Sequence, residues 1–342
     1  MAGAGLADWV LFGACVGSIV LSAWVGRRGL WAQLLGVVAV LLGASLIVTG
    51  VLRLVPGDPV DLILGEQATQ QARVQLARDL GLMDAAGEPT GFVAQYAHFI
   101  KSMLDGSLVS YHTRQPVLTG IAQRFPYTAR LAGTAMLLAV VIGIPLGVVA
   151  AMAKHSWLDA LATGFAVLGV SLPRLCLGPL LLLLFAVRLH WLPVSGAQEG
   201  WRSLVLPAVS LGTAMAAALA RLTRAALLEV LRQDYILCAL AKGLPPWRIL
   251  LVHALPNALI PVITVMGLQC GALLAGAVVT EQIFNWPGIG TLLFESIQQL
   301  DMPMVQGVVM VIACGYVLIN LSVDLLCQWA DPRIRSEPAQ SE

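Results

Sequence analysis

The chain has 342 residues, of which 58% are hydrophobic and only 11% are charged at neutral pH. Soluble domains carry charge on about a quarter of their residues, so this composition excludes an ordinary water-soluble domain and indicates an integral membrane protein. The net charge is +1, and the basic residues form no patch apart from those that flank the apolar runs, so no nucleic-acid partner is predicted.

The N-terminal part begins with an apolar run at residues 9–25, which is short for a membrane span but within the usual range. No lysine or arginine precedes this run, so it lacks the basic region of a signal peptide. Arg27 and Arg28 follow it at once, and such residues collect on the cytoplasmic side of a membrane. The pattern predicts an N-terminus outside, and a second span at 31–52 that leads outward again.

The polar stretch at residues 53–125 predicts a small extracytoplasmic subdomain. Pro56-Gly57-Asp58-Pro59 is typical of a rigid turn, because proline restricts the backbone while glycine and aspartate favour turns. Helical spacing indicates two short helices, at 67–80 and 92–104, with Gly81 ending the first.

Five further spans follow in the rest of the chain. They are predicted at about 131–152, 160–187, 203–223, 258–280 and 304–327. Trp286-Pro287-Gly288 marks a turn between the last two, and the segment after it is predicted to form a short re-entrant helix. Short segments assigned to the inside hold ten lysines and arginines, against two outside, which supports this topology and a cytoplasmic C-terminus.

The polar loop at residues 225–257 separates two of these spans, and its lysines and arginines indicate that it is cytoplasmic. Its first part, Tyr235 to Lys242, has helical spacing and ends at Gly243. Pro245-Pro246 prevents simple continuation, so a second helix is predicted from Trp247 to Leu255. This helix–glycine–helix elbow holds no catalytic constellation, and we expect it to dock onto another protein.

The spacing Ala239-x3-Gly243-x11-Leu255-Pro256 resembles the cytoplasmic coupling loop of ABC importer permeases, whose loose pattern is E-A-A-x3-G-x9-I-x-L-P. The stretches DYILCALAKGL and HALPNALIPV are similar to those of dipeptide, oligopeptide and nickel permeases in particular. Further stretches carry the resemblance in the family's order, namely PGDP, RLTRAALLEVL, FNWPGIG and DPRIR. The resemblance covers almost the whole chain from about residue 31.

The resemblance implies an all-α polytopic membrane protein with the type I ABC importer permease fold. Related permeases usually begin at the second predicted span, so we expect a six-helix core plus one extra N-terminal transmembrane helix. The expected regions are that helix with its basic loop at 1–30, the permease domain at 31–335 and a cytoplasmic tail at 336–342. The expected location is the bacterial inner membrane.

The implied function is half of a translocation pathway for di- or oligopeptides, coupled to a separate ATPase. The implied partners are a second homologous permease, two ATPase subunits that bind ATP and Mg²⁺, an extracytoplasmic solute-binding protein and membrane lipid. Pro56-Gly57-Asp58-Pro59 is the implied contact of the binding protein. The residues implied in ATPase coupling are Asp234, Tyr235, Ala239, Lys242, Gly243, His253, Leu255, Pro256 and Asn257.

Four positions in the elbow carry a more detailed expectation. Asp234 is predicted to cap the first coupling helix, because a carboxylate suits a helix N-terminus. His253 is expected to have a structural role there. Leu237 and Leu240 stand where related loops often carry arginine, so the elbow is expected to dock more by apolar burial than by charge.

No feature of the sequence indicates an enzyme. A P-loop signature is absent, so the chain is not itself the ATPase. Motifs of an intramembrane protease or lipase are absent as well, and we expect no catalytic residue. The histidines and the six scattered cysteines have no metal-ligand spacing, so neither a metal nor another cofactor is predicted in this chain.

Alternatives remain open for the substrate and for the class of protein. The predicted substrate is a peptide, nickel or another chelated metal is a close second candidate, and glutathione-like peptides are also possible substrates. A secondary transporter driven by an ion gradient would need ionisable residues at mid-membrane in repeated halves, and only Arg174 qualifies. A purely structural membrane scaffold is disfavoured by the long docking loop.

Arg174 lies beside Pro173 near the middle of the span predicted at 160–187. A guanidinium at mid-membrane costs about 2.5–3.5 kcal/mol on insertion scales. One interpretation is that the side chain snorkels or pairs with a backbone carbonyl next to a proline kink. The other is that Arg174 and Pro173 belong to the substrate pathway, where the guanidinium meets an anionic group of the substrate.

Overall fold

The computed structural model describes residues 30–52, 69–79, 90–171 and 173–330, together with the single positions 60, 64 and 83. The span predicted at 9–25, the turn at Pro56-Gly57-Asp58-Pro59, the stop at Gly81 and the tail beyond 330 lie outside the described residues. Where the chain is described, its regular elements are helices, which confirms the predicted all-α fold.

The helices of the described ranges are numbered here in chain order. They are α1 (Leu30–Leu52), α2 (Gln70–Asp79), α3 (Phe92–Leu104), α4 (Val117–Met152), α5 (Trp157–Ser171), α6 (Arg174–Leu181), α7 (Trp201–Val230), α8 (Asp234–Ala241), α9 (Leu255–Phe284), α10 (Ile289–Gln298) and α11 (Met302–Ala330). Two wider π-helical segments adjoin them: Leu182–Arg188 continues α6, and Ile249–Ala254 leads into α9.

Helix α4 begins earlier than the sequence predicts. The apolar run indicates a start near residue 131, whereas the helix starts at Val117 and has 36 residues. At 1.5 Å per residue it is about 54 Å long, well beyond a hydrocarbon layer of about 30 Å. The first half of α4 contains Arg124 and Arg130, which are typical of a polar loop in a membrane protein. Charged residues do not prevent helix formation outside the membrane, so the helix extends beyond the apolar run.

The span predicted at 160–187 is two helices and not one. Helix α5 ends at Ser171 and α6 starts at Arg174. Between them Pro173 has φ −59° and ψ 133°, which is extended backbone. Proline lacks the N–H that a helix needs and also disfavours helical geometry at the residue before it, so the predicted kink is a complete break.

Four of the described helical stretches are long and apolar enough to cross a membrane. They are Val117–Met152, Trp201–Val230, Pro246–Gly271 and Met302–Val323. Shorter apolar helices occur at Gly36–Leu52, Trp157–Gly169 and Leu175–Arg188. Each span predicted beyond residue 30 therefore has helical counterparts, while the total of seven spans stays a prediction.

The described residues fall into two compact units, one within the ranges Met1–Phe125 and Leu292–Cys314 and the other within Pro126–Thr291 and Gly315–Glu342. In the first unit the buried carboxylate of Asp301 accepts hydrogen bonds from the Ser110 hydroxyl and from the backbone N–H of Tyr111. It also caps α11 by accepting from the Met304 N–H, with N···O 3.3 Å. Burial, together with the charge of Asp301, raises the pKa of Tyr111 to about 12.

In the second unit α4 and α7 approach at backbone distance. A Cβ atom on Gly143 would lie 2.6 Å from the carbonyl oxygen of Ala216, and one on Gly147 would lie 2.6 Å from that of Ala220. Small residues at such spacing allow membrane helices to pack closely. The surrounding core is apolar and includes Leu131, Leu211, Met215 and Leu219.

Candidate functional site

The first arm of the elbow is α8, which ends in a Schellman motif. Gly243 has φ +74°, a left-handed conformation that glycine adopts without strain. Its N–H donates to the carbonyl of Leu240 at 2.9 Å, and the N–H of Leu244 donates to that of Ala239 at 3.3 Å. The glycine stop predicted from the sequence is therefore present, and it turns the chain sharply away from the axis of α8.

The predicted cap of α8 is wrong in one respect. Gln233, with extended backbone, is the N-cap residue, and Asp234 is the first residue of the helix. The Asp234 carboxylate therefore stands in the first turn, where a negative charge still interacts favourably with the helix dipole. A helix that starts one residue earlier than predicted moves Asp234 from the cap into the first turn.

The second arm is not a separate helix ending at Leu255, as the spacing predicts. It begins at Pro246, passes through the π-helical segment Ile249–Ala254 and continues into α9 without a break. Pro256 has no N–H to donate, and its ring crowds the carbonyl four residues earlier. The widened turns just before Pro256 accommodate that defect, and the second arm is thus the end of a membrane helix.

A small apolar core holds both arms against the membrane helices. Ile236 and Ala239, three residues apart on one face of α8, are buried in it. The other members come from α4, α7, the π-helical segment and α9, namely Ala151, Ala226, Leu227, Ile249, Ala254 and Ala258. Most of these residues are alanines, so the helices approach closely and the elbow packs as part of the second unit.

The outer face of the elbow is apolar and exposed. Leu237 and Leu240, on the side of α8 away from the core, are 55% and 51% exposed. The second arm adds Trp247, Leu251 and Val252, each more than half exposed. Exposed apolar patches are typical of interaction sites, which makes this face a candidate for one.

Asn257 ties the two arms together. Its side-chain Nδ2 donates to the Tyr235 hydroxyl at 3.0 Å and to the carbonyl oxygen of His253 at 2.8 Å. Tyr235 is in the first turn of α8, while His253 and Asn257 lie in the π-helical segment and the first turn of α9. The amide therefore holds the start of one arm to the end of the other.

The residues predicted to act in coupling differ in their surroundings: some are hydrogen-bonded to one another, some are exposed, and Ala239 is buried. It brings Tyr235, His253 and Asn257 together by hydrogen bonds, and it buries Ala239 in the core under the elbow. Lys242 and Pro256 are exposed, and Leu255 is half-buried. Only the exposed residues are available to a partner protein, so Ala239 acts by packing.

The two other predicted sites are described only in part. Pro173 is exposed at the break between α5 and α6, and Arg174 is the first residue of α6. The predicted binding-protein contact at Pro56-Gly57-Asp58-Pro59 lies outside the described residues.

One buried carboxylate escaped the sequence reasoning. Glu281, near the end of α9, is 0% exposed. Its oxygens accept from the Thr128 hydroxyl at 2.6 Å and from the backbone N–H groups of Gly290 and Thr291 at 2.7 and 3.1 Å. The Thr128 oxygen itself accepts from the N–H of Ile289 at 2.8 Å, so its own hydrogen is directed at Glu281.

The Glu281 network explains the motif FNWPGIG. A Cβ atom on Gly288 would collide with the Glu281 carboxylate, and one on Gly290 would lie 2.5 Å from the Cα atom of Val278. Both positions therefore need glycine. A lone acidic residue at the end of an apolar run, followed by two closely spaced glycines, was the signal that could have identified the network.

Comparison with known proteins identifies the family. The family described as binding-protein-dependent transport system inner membrane component matches residues 143–336. The permease protein GsiC of the glutathione transport system from Escherichia coli O6:H1 is 41% identical over 304 residues, covering 89% of this chain and 97% of the relative. The same protein from Salmonella typhimurium is also 41% identical, with the same coverage.

A solved structure supports the fold. A chain of the MetNI methionine ABC transporter, in an inward-facing conformation, matches with a TM-score of 0.53 at 17% sequence identity. The match covers 64% of this chain and 99% of that one. At this identity the likeness concerns the fold alone, and it confirms the ABC importer permease architecture predicted from the resemblance.

These findings confirm an inner-membrane, multi-pass transport subunit and leave no support for an ion-gradient-driven transporter or a scaffold. The chain belongs to the family of binding-protein-dependent transport system inner membrane components and is the permease subunit of an ABC importer.

Proposed function

We propose that this permease forms one half of a pathway for small peptides and is driven by ATPase subunits that dock on the elbow at 234–257. The observation that carries the proposal is the elbow itself, with an alanine-rich core behind it and an apolar face in front. A second homologous permease completes the pathway, two ATPase subunits bind ATP and Mg²⁺, and a solute-binding protein delivers the substrate.

The elbow suits the transfer of motion because it is packed and not loose. A displacement of the exposed face by a docked ATPase subunit reaches α4, α7 and α9 through the buried side chains that these helices share with the elbow. Dense packing transmits displacement with little internal compression. The N-terminal arm follows α7 after only three residues, 231–233, so the arm and the membrane helix are displaced together.

The proposed substrate is a small peptide of the glutathione kind. The support comes from two curated relatives, both 41% identical to this chain over most of its length, which are permeases of glutathione transport systems. Glutathione is a tripeptide that carries carboxylates. Arg174, at the start of α6, is the residue proposed to meet such a group, because guanidinium matches the two oxygens of a carboxylate.

Copurification with the ATPase subunits tests the docking face. Leu237→Asp places a charge on the exposed apolar face, so we expect the ATPase to be lost from the purified permease. The reason is that burying a carboxylate in an apolar interface costs desolvation free energy, which no partner group there offsets. Val93→Asp is the control, because Val93 is also exposed on a helix, 77%, but lies on α3. Equal retention of ATPase by both variants would contradict docking at this face.

Transport by the assembled complex tests the substrate class. With binding protein supplied, proteoliposomes are expected to accumulate labelled glutathione in an ATP-dependent way and not to accumulate ⁶³Ni²⁺ chelates. Accumulation of the nickel chelate alone would assign the permease to metal import while leaving its membership of the importer class intact.

A further inference from the structure

The start of α5 is organised by one carboxylate. Ser156 precedes the helix, and its hydroxyl accepts from the backbone N–H of Asp159 at 3.4 Å. The Asp159 side chain in turn accepts from the backbone N–H of His155 at 3.1 Å. This reciprocal pattern is close to a capping box, in which two otherwise unpaired N–H groups are satisfied at a helix start.

The same carboxylate forms a two-point ion pair with α7. Arg224 Nε lies 2.7 Å from Asp159 Oδ1, and Arg224 Nη2 lies 2.8 Å from Asp159 Oδ2. The Asp159 side chain is 9% exposed and that of Arg224 is 30% exposed. A bidentate guanidinium–carboxylate pair defines orientation as well as distance, so it holds the two helices more strictly than a single contact would.

The other end of α5 is also held to α7. Gly169 lies so close that a Cβ atom there would be 2.8 Å from the Cβ atom of Ala217. Asp159 and Gly169 are ten residues apart, about 15 Å along α5. Two fixed points at that separation leave α5 little freedom to rotate or slide against α7.

Arg224 lies next to the core under the elbow. Ala226 and Leu227, in the same turn of α7, are members of that core together with Ile236 and Ala239 of α8. The turn of α7 that carries Arg224 is therefore the one packed against α8. At its far end α5 stops at Ser171, where the extended backbone of Pro173 separates it from α6.

We propose that Asp159 and Arg224 are positioning residues that join α5 and α7 into one rigid lever, with the break at Pro173 as its hinge. The lever carries a displacement of the elbow across the membrane to the start of α6, where Arg174 lies. The proposal rests on the proposed coupling function, because it needs an ATPase that moves the elbow. It assigns no chemical step to the pair.

The first test compares two arginines on one helix. Arg224→Gln removes the bidentate pair, and Arg221→Gln, one turn earlier and exposed, removes a like charge. In proteoliposomes we expect Arg224→Gln to lower the peptide transported per ATP hydrolysed about tenfold, a typical size for coupling between sites, while Arg221→Gln stays near the parent value. The ratio is decisive, since a merely structural defect lowers transport and hydrolysis together.

Arg224→Lys supplies the rescue. It keeps a positive charge beside Asp159 and leaves the carboxylate that organises the start of α5 in place, so the transported peptide per ATP is expected to recover beyond that of Arg224→Gln. An Arg224→Lys variant no better than Arg224→Gln, or an Arg224→Gln variant no worse than Arg221→Gln, would overturn the proposal. ATPase copurification is measured for every variant, and its absence from the parent complex would reject the proposed function and not the lever.

A covalent bridge tests rigidity directly. Asp159→Cys with Arg224→Cys, in a background without the native cysteines, is cross-linked by a short bifunctional thiol reagent. Before cross-linking this variant lacks the ion pair, so the peptide transported per ATP is expected to be low. Cross-linking is expected to raise it, because the linker joins α5 to α7 again and the two helices need not separate during the cycle. Loss of transport on cross-linking, with recovery after cleavage of the linker, would show that the pair opens and would overturn the lever.

Discussion

Glu281 places a carboxylate where solvent does not reach, among groups that donate hydrogen bonds to it. The Thr128 hydroxyl and the backbone N–H groups of Gly290 and Thr291 all donate to it. A buried charge is tolerated when hydrogen bonds replace its lost water. The network joins α4, α9 and the first turn of α10 at one point.

Glu281→Gln is expected to destabilise the protein by about 1–3 kcal/mol, because the new amide directs N–H groups at other donors. The measurement is the thermal unfolding of the detergent-solubilised complex. Glu295→Gln is the matched control. It makes the same change of charge on α10, where Glu295 is half exposed and lies 3.6 Å from Arg124. A control as destabilising as Glu281→Gln would contradict the assigned role of the network.

Arg174→Gln tests the proposed contact with substrate. A neutral amide cannot replace the two-point contact of a guanidinium with a carboxylate, so uptake of peptides with a free C-terminus should fall. Amidated peptides lack that group, and their uptake should change much less at equal expression. Equal losses for both kinds of peptide would favour the other interpretation, in which Arg174 snorkels or binds a backbone carbonyl.

At the scale of elements, the elbow depends on a single left-handed residue. Gly243→Val keeps both arms but imposes a β-branched side chain at φ +74°, at a cost of about 1–2 kcal/mol. We expect the permease to insert and to bind ATPase, while substrate-stimulated ATP hydrolysis is lost because the arms no longer meet at the native angle.

Gly106→Val is the control for that substitution. Gly106 has φ +68°, and a Cβ atom there, as at Gly243, would have no neighbour within 4 Å. The two variants therefore carry the same backbone strain, but Gly106 lies between α3 and α4 in the first unit. Normal substrate stimulation of ATP hydrolysis in Gly243→Val, or an equal loss of that stimulation in Gly106→Val, would contradict a role of Gly243 in coupling.

Most element positions could be predicted from hydrophobic runs and from glycine and proline. The helix at 92–104 and the stop at Gly243 match their predictions. Boundaries were missed where a helix leaves the apolar run, as in the polar first half of α4, and where a proline breaks one run into two helices. A hydrophobic run indicates which residues lie in lipid, whereas a helix continues as long as its backbone N–H and C=O groups form hydrogen bonds, so the two boundaries need not coincide.

The polar contacts between distant parts of the chain could not be predicted. Asp159 and Arg224 are 65 residues apart, and Thr128 and Glu281 are 153 apart, so no short-range period relates them. The loop pattern predicts a role for Asn257 in the elbow, but the bond of Asn257 to Tyr235 depends on the turn at Gly243. Such pairs follow from how helices pack, and packing depends on all the surrounding side chains.

At the scale of the whole molecule, the predicted topology needs its own measurement. The charge pattern predicts an N-terminus outside the cytoplasm and an extra span at 9–25. A cysteine at position 4, in a background without native cysteines, should react with an impermeant thiol reagent on intact spheroplasts. A cysteine in the elbow, Lys242→Cys, should react only after lysis. Labelling in the reverse pattern would invert the topology.

The division of the elbow into a buried alanine side and an exposed leucine side has an evolutionary consequence. A bacterium that keeps several importers of this family must prevent each permease from recruiting the wrong motor. The residues that would discriminate, such as Leu237 and Leu240, are not the ones that hold the arms in place. Under the proposed docking, paralogues can therefore diverge in their preference for ATPase subunits by substitutions on the exposed face alone, while the packing that holds the two arms stays unchanged.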